Sequence, residues 1–194
     1  KVKWMSYKLA ASSWGQEELA AIQRVIKSER FSMGTEVAAF EEEFAEWHNL
    51  KYGVMVNSGS SANLISIASY FYKNKNRLKP GDEVIVPSIS WSTTYYPLQQ
   101  YGLKLRFIDV EIDSFNIDIT KLEDALTPKT KIIVAVSILG NPAALDQIKS
   151  FADKHGLYLM EDNCESLGAE LPNQSKTGTF GDVNTFSFFF SHHI

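Results

Sequence analysis

From residue 53 to residue 190, short apolar runs alternate with stretches of helical length. This alternation constrains the fold more than any other property of the sequence. Runs at 53–56, 83–86, 104–110, 131–137, 157–160 and 185–190 read as strands, the run at 131–137 being rich in Ile and Val. The stretches 62–72, 91–101, 119–125 and 144–155 read as the helices between them, and Pro80-Gly81 marks a turn. Strands that return through helices stack as βαβ units. The expected fold is therefore α/β, a mostly parallel sheet flanked by helices and buried on both faces. Residues 16–29 form an amphipathic helix, with Leu19, Ile22, Val25 and Ile26 at helical spacing. A second helix carries Val37, Phe40, Phe44 and Trp47 on one stripe, which reads as core packing.

The division is into an N-terminal segment and helix, 1–30, and a large domain, 31–194. The sequence stops at Ile194 directly after a strand, so the sheet is expected to continue in residues absent here and the domain to be truncated at its C-terminus.

The 194 residues are 44% hydrophobic and 22% charged, an ordinary globular composition, with a formal net charge of −4. Nucleic-acid binding needs a basic face. The densest basic stretch, 73–79, lies just before a turn and reads as a solvated connector. One cysteine, Cys164, leaves no internal disulfide framework and fits a reducing compartment. With no signal pattern and no run of 18 apolar residues, the expectation is a cytoplasmic protein without a membrane span.

In open α/β sheets, ligands bind beyond the carboxyl ends of the strands. Ser58-Gly59-Ser60-Ser61 follows the first predicted strand and opens a helix, a place where backbone N–H groups and hydroxyls can meet a phosphate. An N-cap without a ligand would look the same. Trp91 lies beyond the next strand and reads either as a stacking platform for a planar ring or as a core side chain. Glu161-Asp162-Asn163-Cys164-Glu165 follows the strand at 157–160. Acids at a buried strand end are costly unless paired, and an Asp there can pair with a protonated ring nitrogen or serve as a cap or structural ion pair. Ser187 is a lone hydroxyl in the aromatic strand 185–190, followed at its end by Ser191-His192-His193. His48 and His155 sit in helical contexts and are expected to be exposed. An adjacent histidine pair cannot easily supply metal geometry, so no metal is expected.

These residues occur in an order that resembles the DegT/DnrJ/EryC1/StrS aminotransferases, fold-type-I pyridoxal-phosphate enzymes of nucleotide-linked keto sugars. The resemblance runs from about Met33 to Ile194. It takes in Met33-Gly34, Phe40-Glu41, Ser58-Gly59-Ser60 with Ala62 and Leu64, residues 80–87 (PGDEVIVP), and Leu139-Gly140-Asn141-Pro142. It continues through Glu161-Asp162, Gly168-Ala169, Gly178-Thr179-Phe180-Gly181 and Phe186-Ser187-Phe188. It implies the large domain of that fold, with pyridoxal 5'-phosphate (PLP) or pyridoxamine 5'-phosphate (PMP) as cofactor. Gly59, Ser60 and Ser187 would hold the phosphate, Trp91 would stack on the pyridine ring, and Asp162 would pair with the ring nitrogen. Glu165, in place of a usual glutamine, would approach the ring hydroxyl. A homodimer is also implied.

The sequence departs from this pattern at one informative position. Members carry a lysine in Ser-Phe-x-x-x-Lys, and the equivalent stretch here is Ser187-Phe188-Phe189-Phe190-Ser191-His192, with no lysine after Lys176. Lysine forms a Schiff base and moves protons. Histidine moves protons but forms no stable imine, so the cofactor would be held non-covalently and His192 would act as the catalytic base. This swap resembles the 3-dehydratase branch of the family. One subtype takes GDP-4-keto-6-deoxy-D-mannose on the route to colitose, a dideoxy sugar of lipopolysaccharide O-antigens, with L-glutamate as amino donor. Another takes a CDP sugar and uses an iron–sulfur cluster, which needs about four ligands where this sequence has one cysteine. Residues 91–102, 162–166 and 191–194 look closer to the GDP enzyme. The alternatives are an ordinary sugar-nucleotide aminotransferase, which would need a lysine at 192, and an inactive homologue. His193 receives no firm role.

Overall fold

The computed structural model describes residues 12–189 and 192. The described residues fall into two units, one up to Met55 and one from Val56 onward.

The second unit is built on five strands: β1 (Glu83–Pro87), β2 (Lys104–Ile108), β3 (Thr130–Val136), β4 (Tyr158–Asp162) and β5 (Val183–Thr185). They lie in the order β2-β1-β3-β4-β5, and every pairing is parallel. Pleating sends successive side chains to opposite faces. Val84, Val86, Ile132, Val134 and Met160 enter one core with Ile67, Tyr70 and Leu98. Ile85, Ile133, Ala135 and Leu159 enter the other, with Leu145, Ile148 and Ala152. The first core is closed by α3 (Gly59–Phe71) and α4 (Ser92–Gln100), the second by α5 (Leu122–Ala125) and α6 (Leu145–His155). Burial on both faces explains why the strands are continuous apolar runs in the sequence.

The α6 helix ends where Gly156 takes a left-handed conformation (φ 65°) and donates its N–H to the carbonyl of Asp153. Pro97 lies inside α4, yet Tyr101 still donates to the carbonyl of Pro97 and closes the last turn.

The first unit holds α1 (Gln16–Ser28) and α2 (Thr35–Trp47). Its stripes are not a core: α1 buries no residue, Trp47 is 46% exposed, and Ala45 is the buried residue of α2. Phe40, Phe44 and Trp47 instead pack ring to ring along the helix. His48, expected exposed, is 2% exposed, and its Nδ1 lies 3.0 Å from the carbonyl oxygen of Phe44. His155 is half-buried, 3.5 Å from Glu123.

Two expected strands differ. Residues 53–56 form none: the N–H of Met55 is taken by Glu41 Oε1 at 2.7 Å, and a side chain at Gly53 would strike the carbonyl of Glu41. The last strand is Val183–Thr185, so Ser187 lies beyond it, outside the sheet, and Phe190 falls outside the described residues. Conversely β4 runs on to Asp162, which places Glu161 and Asp162 inside the sheet. Residues 119–125 begin as a 3₁₀ turn before α5.

Candidate active site

The carboxyl ends of β1, β3, β4 and β5 and the N-terminus of α3 surround a cleft of about 600 Å³. Gly59, Ser60, Trp91, Asp162, Glu165, Ser187 and His192 all line it, whereas Ser61 and Glu161 do not, and Ser191 and His193 lie outside the described residues.

Pleating separates the two consecutive acids of β4. Asp162 faces α3 and α4. Its Oδ2 accepts from Asn63 Nδ2 at 2.9 Å and Thr94 Oγ1 at 2.8 Å, and its Oδ1 from the N–H of Cys164 at 3.2 Å. The network extends to Ser90, 2.8 Å from Thr94 Oγ1, and to Thr185, which donates to Asn63 Oδ1 at 2.7 Å. Three neutral donors fix a 4% exposed carboxylate at the cleft floor, where a cationic N–H would find its complement. Glu161 faces the opposite way. It accepts the N–H groups of Gly178 at 2.6 Å and of Phe180 and Gly181 at 2.7 Å, with Asn163 at 3.4 Å. Burial pushes its carboxyl above the ordinary value, and those donors pull against that shift. Glu161 therefore anchors the 178–181 turn that feeds β5.

The α3 helix starts at Ser58, whose Oγ accepts the N–H of Ser61 at 3.1 Å. The preceding N–H groups, of Gly59 and Ser60, have no acceptor within the helix, and that end carries the positive helix dipole. Gly59 is packed so closely that an added Cβ would lie 2.8 Å from Cys164 Sγ and 2.9 Å from Ser187 Cβ. Only glycine lets the backbone lie this near to Ser187, and a ligand phosphate would meet N–H and hydroxyl together there.

Trp91 precedes α4 and is 72% exposed at the cleft, which removes the core reading. Burial first, then Asp162 and Glu165, push the Cys164 thiol far above its usual value, so it is a neutral packing group. Glu165 Oε2 accepts the N–H of Leu139 at 2.8 Å. Ser187 Oγ accepts the N–H of Phe189 at 3.3 Å, and the N–H of His192 donates to the carbonyl of Phe189 at 2.9 Å. His192, half-buried beside the Phe189 ring, lines the cleft. Among the described residues, no group of three or more His, Cys, Asp or Glu is arranged to hold a metal ion, and no helix is long and apolar enough to cross a membrane.

Asn63 and Thr94 were not anticipated. A signal for Asn63 exists: it stands four and seven residues before Ile67 and Tyr70, which makes it a polar residue on the buried stripe of α3.

Residues 12–194 match the family model described as the DegT/DnrJ/EryC1/StrS aminotransferase family. The chain is 53% identical over 190 residues to the GDP-4-keto-6-deoxy-D-mannose 3-dehydratase of Yersinia pseudotuberculosis, covering 98% of this chain and 48% of that protein. It superposes with a TM-score of 0.93 on the E. coli GDP-4-keto-6-deoxy-D-mannose-3-dehydratase with bound hydrated PLP, at 51% identity, covering 99% of this chain and 49% of that one. A second solved structure, of GDP-4-keto-6-deoxymannose-3-dehydratase with a trapped PLP-glutamate geminal diamine, gives the same TM-score and identity over 97% of this chain and 49% of that one. The chain thus spans about half the length of the curated relatives it matches.

Proposed function

Because this chain belongs to the DegT/DnrJ/EryC1/StrS aminotransferase family, we propose that it works as a PLP/PMP-dependent 3-dehydratase, removing the C3 hydroxyl of GDP-4-keto-6-deoxy-D-mannose with L-glutamate as amino donor. The observation that carries this reading is His192, a cleft-lining imidazole five positions after Ser187, where the family motif has lysine.

The residues present fit the cofactor. Gly59, Ser60 and Ser187 line the cleft together, and the close approach of the Gly59 backbone to Ser187 sets N–H and hydroxyl donors side by side for the phosphate. Trp91 offers its exposed face to the pyridine ring, and Asp162 offers a buried carboxylate to the ring nitrogen. Glu165 would approach the ring hydroxyl through Oε1, since Oε2 is engaged. Bound there, the cofactor supplies an electron sink against which a C–H bond can break. Without a lysine at 192, it is held by these non-covalent contacts alone. An imidazole nitrogen of His192 takes the proton and returns it.

The net chemistry balances. The sugar loses oxygen at C3 and gains two electrons there, and glutamate supplies them as its Cα–N unit is oxidised to 2-oxoglutarate, its nitrogen leaving as ammonia. Identity above 50% to enzymes named for the GDP sugar favours that nucleotide over a CDP sugar. The reading carries with it a cytoplasmic homodimer.

Product analysis on the full-length protein with PLP, L-glutamate and GDP-4-keto-6-deoxy-D-mannose tests this. The expected products are a 4-keto-3,6-dideoxy sugar nucleotide and ammonia. A retained amino group would make it an aminotransferase. No spectral conversion of PLP by glutamate would make it an inactive homologue.

A further inference from the structure

The residues following β3 hold an unusual feature of the cleft. Leu139 has left-handed backbone angles (φ 52°, ψ 28°) and is followed by Gly140, also at positive φ. A leucine is strained there by about 1–2 kcal/mol, and its side chain is 77% exposed. Both features are unfavourable in the free protein, and the turn is held regardless. Asn116 braces its ends, with Oδ1 accepting the N–H of Ile138 at 3.3 Å and Nδ2 donating to the carbonyl of Asn141 at 3.0 Å. The N–H of Asn141 closes the turn on the carbonyl of Ile138 at 2.9 Å. The centre is held from the end of the neighbouring strand: Glu165, beyond β4, accepts the N–H of Leu139 itself at 2.8 Å. Leu139 and Glu165 both line the cleft.

We propose that Glu165 is a positioning residue that latches the 138–141 turn, so that Leu139 stands as an apolar wall against the bound sugar nucleotide. A hydrogen bond to a charged acceptor contributes on the scale of the strain it opposes. A large exposed leucine held in a strained conformation beside polar groups gains from its position when a ligand covers it. The role of the wall rests on the function proposed above, whereas the latch does not. It is compatible with Glu165 Oε1 reaching the cofactor, because the latch uses Oε2.

The two parts separate in one experiment on the full-length protein. Amide hydrogen exchange across 138–141 reads the latch without any turnover. Glu165→Ala is expected to raise exchange there at least tenfold, while Glu165→Gln, which keeps an acceptor oxygen, preserves most of the protection. Unchanged exchange in Glu165→Ala overturns the latch. Steady-state kinetics read the wall. Leu139→Gly keeps the N–H and relieves the strain, so exchange stays protected while KM for the sugar nucleotide rises about tenfold and kcat changes less. An unchanged KM overturns the wall. If neither enzyme form turns the substrate over, the functional reading fails, and the exchange data still decide the latch.

Discussion

Thr94 Oγ1 donates to Oδ2 of Asp162 at 2.8 Å, and so joins the first turn of α4 to the last residue of β4 beneath the cleft. Asn63 brings α3 to the same oxygen at 2.9 Å. The carboxylate is thereby fixed by two helices from the same side of the sheet. Thr94→Val keeps the shape and removes one donor. It should cost about 1–3 kcal/mol by urea denaturation and weaken PLP binding measured by titration. Unchanged stability and affinity would mean that Thr94 only fills space.

Gly59→Ala places a methyl group 2.8 Å from the sulfur of Cys164 and 2.9 Å from the Cβ of Ser187. Something must move, and the cradle expected to take the phosphate is what lies nearest. The variant should bind PLP at least tenfold more weakly, with a stability loss of about 1–3 kcal/mol. Cys164→Ala in the same chain should recover part of the stability. Wild-type affinity in the single variant would remove Gly59 from the phosphate site.

Glu161 satisfies three backbone N–H groups of the 178–181 turn. Glu161→Ala leaves all three without their acceptor, that of Gly178 fully buried and those of Phe180 and Gly181 partly so. The loss should exceed about 3 kcal/mol and should be seen as a fall in the denaturation midpoint together with faster exchange at Gly178, Phe180 and Gly181. A small loss would show that water replaces the carboxylate freely.

His192→Lys restores the residue type that the family motif carries. After incubation with PLP and borohydride reduction, intact-mass analysis should show one pyridoxyl phosphate group on this variant, mapped to position 192, and none on the wild type. An unmodified variant would mean that the side chain at 192 does not reach the cofactor carbon, and the proposed base would have to be sought elsewhere.

Much of this architecture was legible in the sequence because a parallel sheet buried on both faces must be written as continuous apolar runs, as at Val84, Ile85 and Val86 or Ile132, Ile133 and Val134. The strand expected at 53–56 was not legible as something else, since an apolar run carries no information about whether a partner strand is beside it. The N–H of Met55 goes instead to Glu41. Trp47 was misplaced for a related reason. Helical spacing reveals a stripe but not the surface it faces, and this tryptophan is half out of the fold.

The order of motifs, the missing lysine and the histidine in its place belong to the sequence alone, because they depend only on which residues follow one another. The family resemblance pointed to Asp162, but nothing in the spacing by itself separates it from Glu161. Both stand at the end of the same strand, and it took the pleat of β4 to send one toward Asn63 and Thr94 and the other toward the 178–181 turn. The engagement of Glu165 with Leu139 was equally hidden. Hydrogen bonds between residues 26 positions apart are decided by where two strands end in space, and that is settled by packing, not by spacing along the chain.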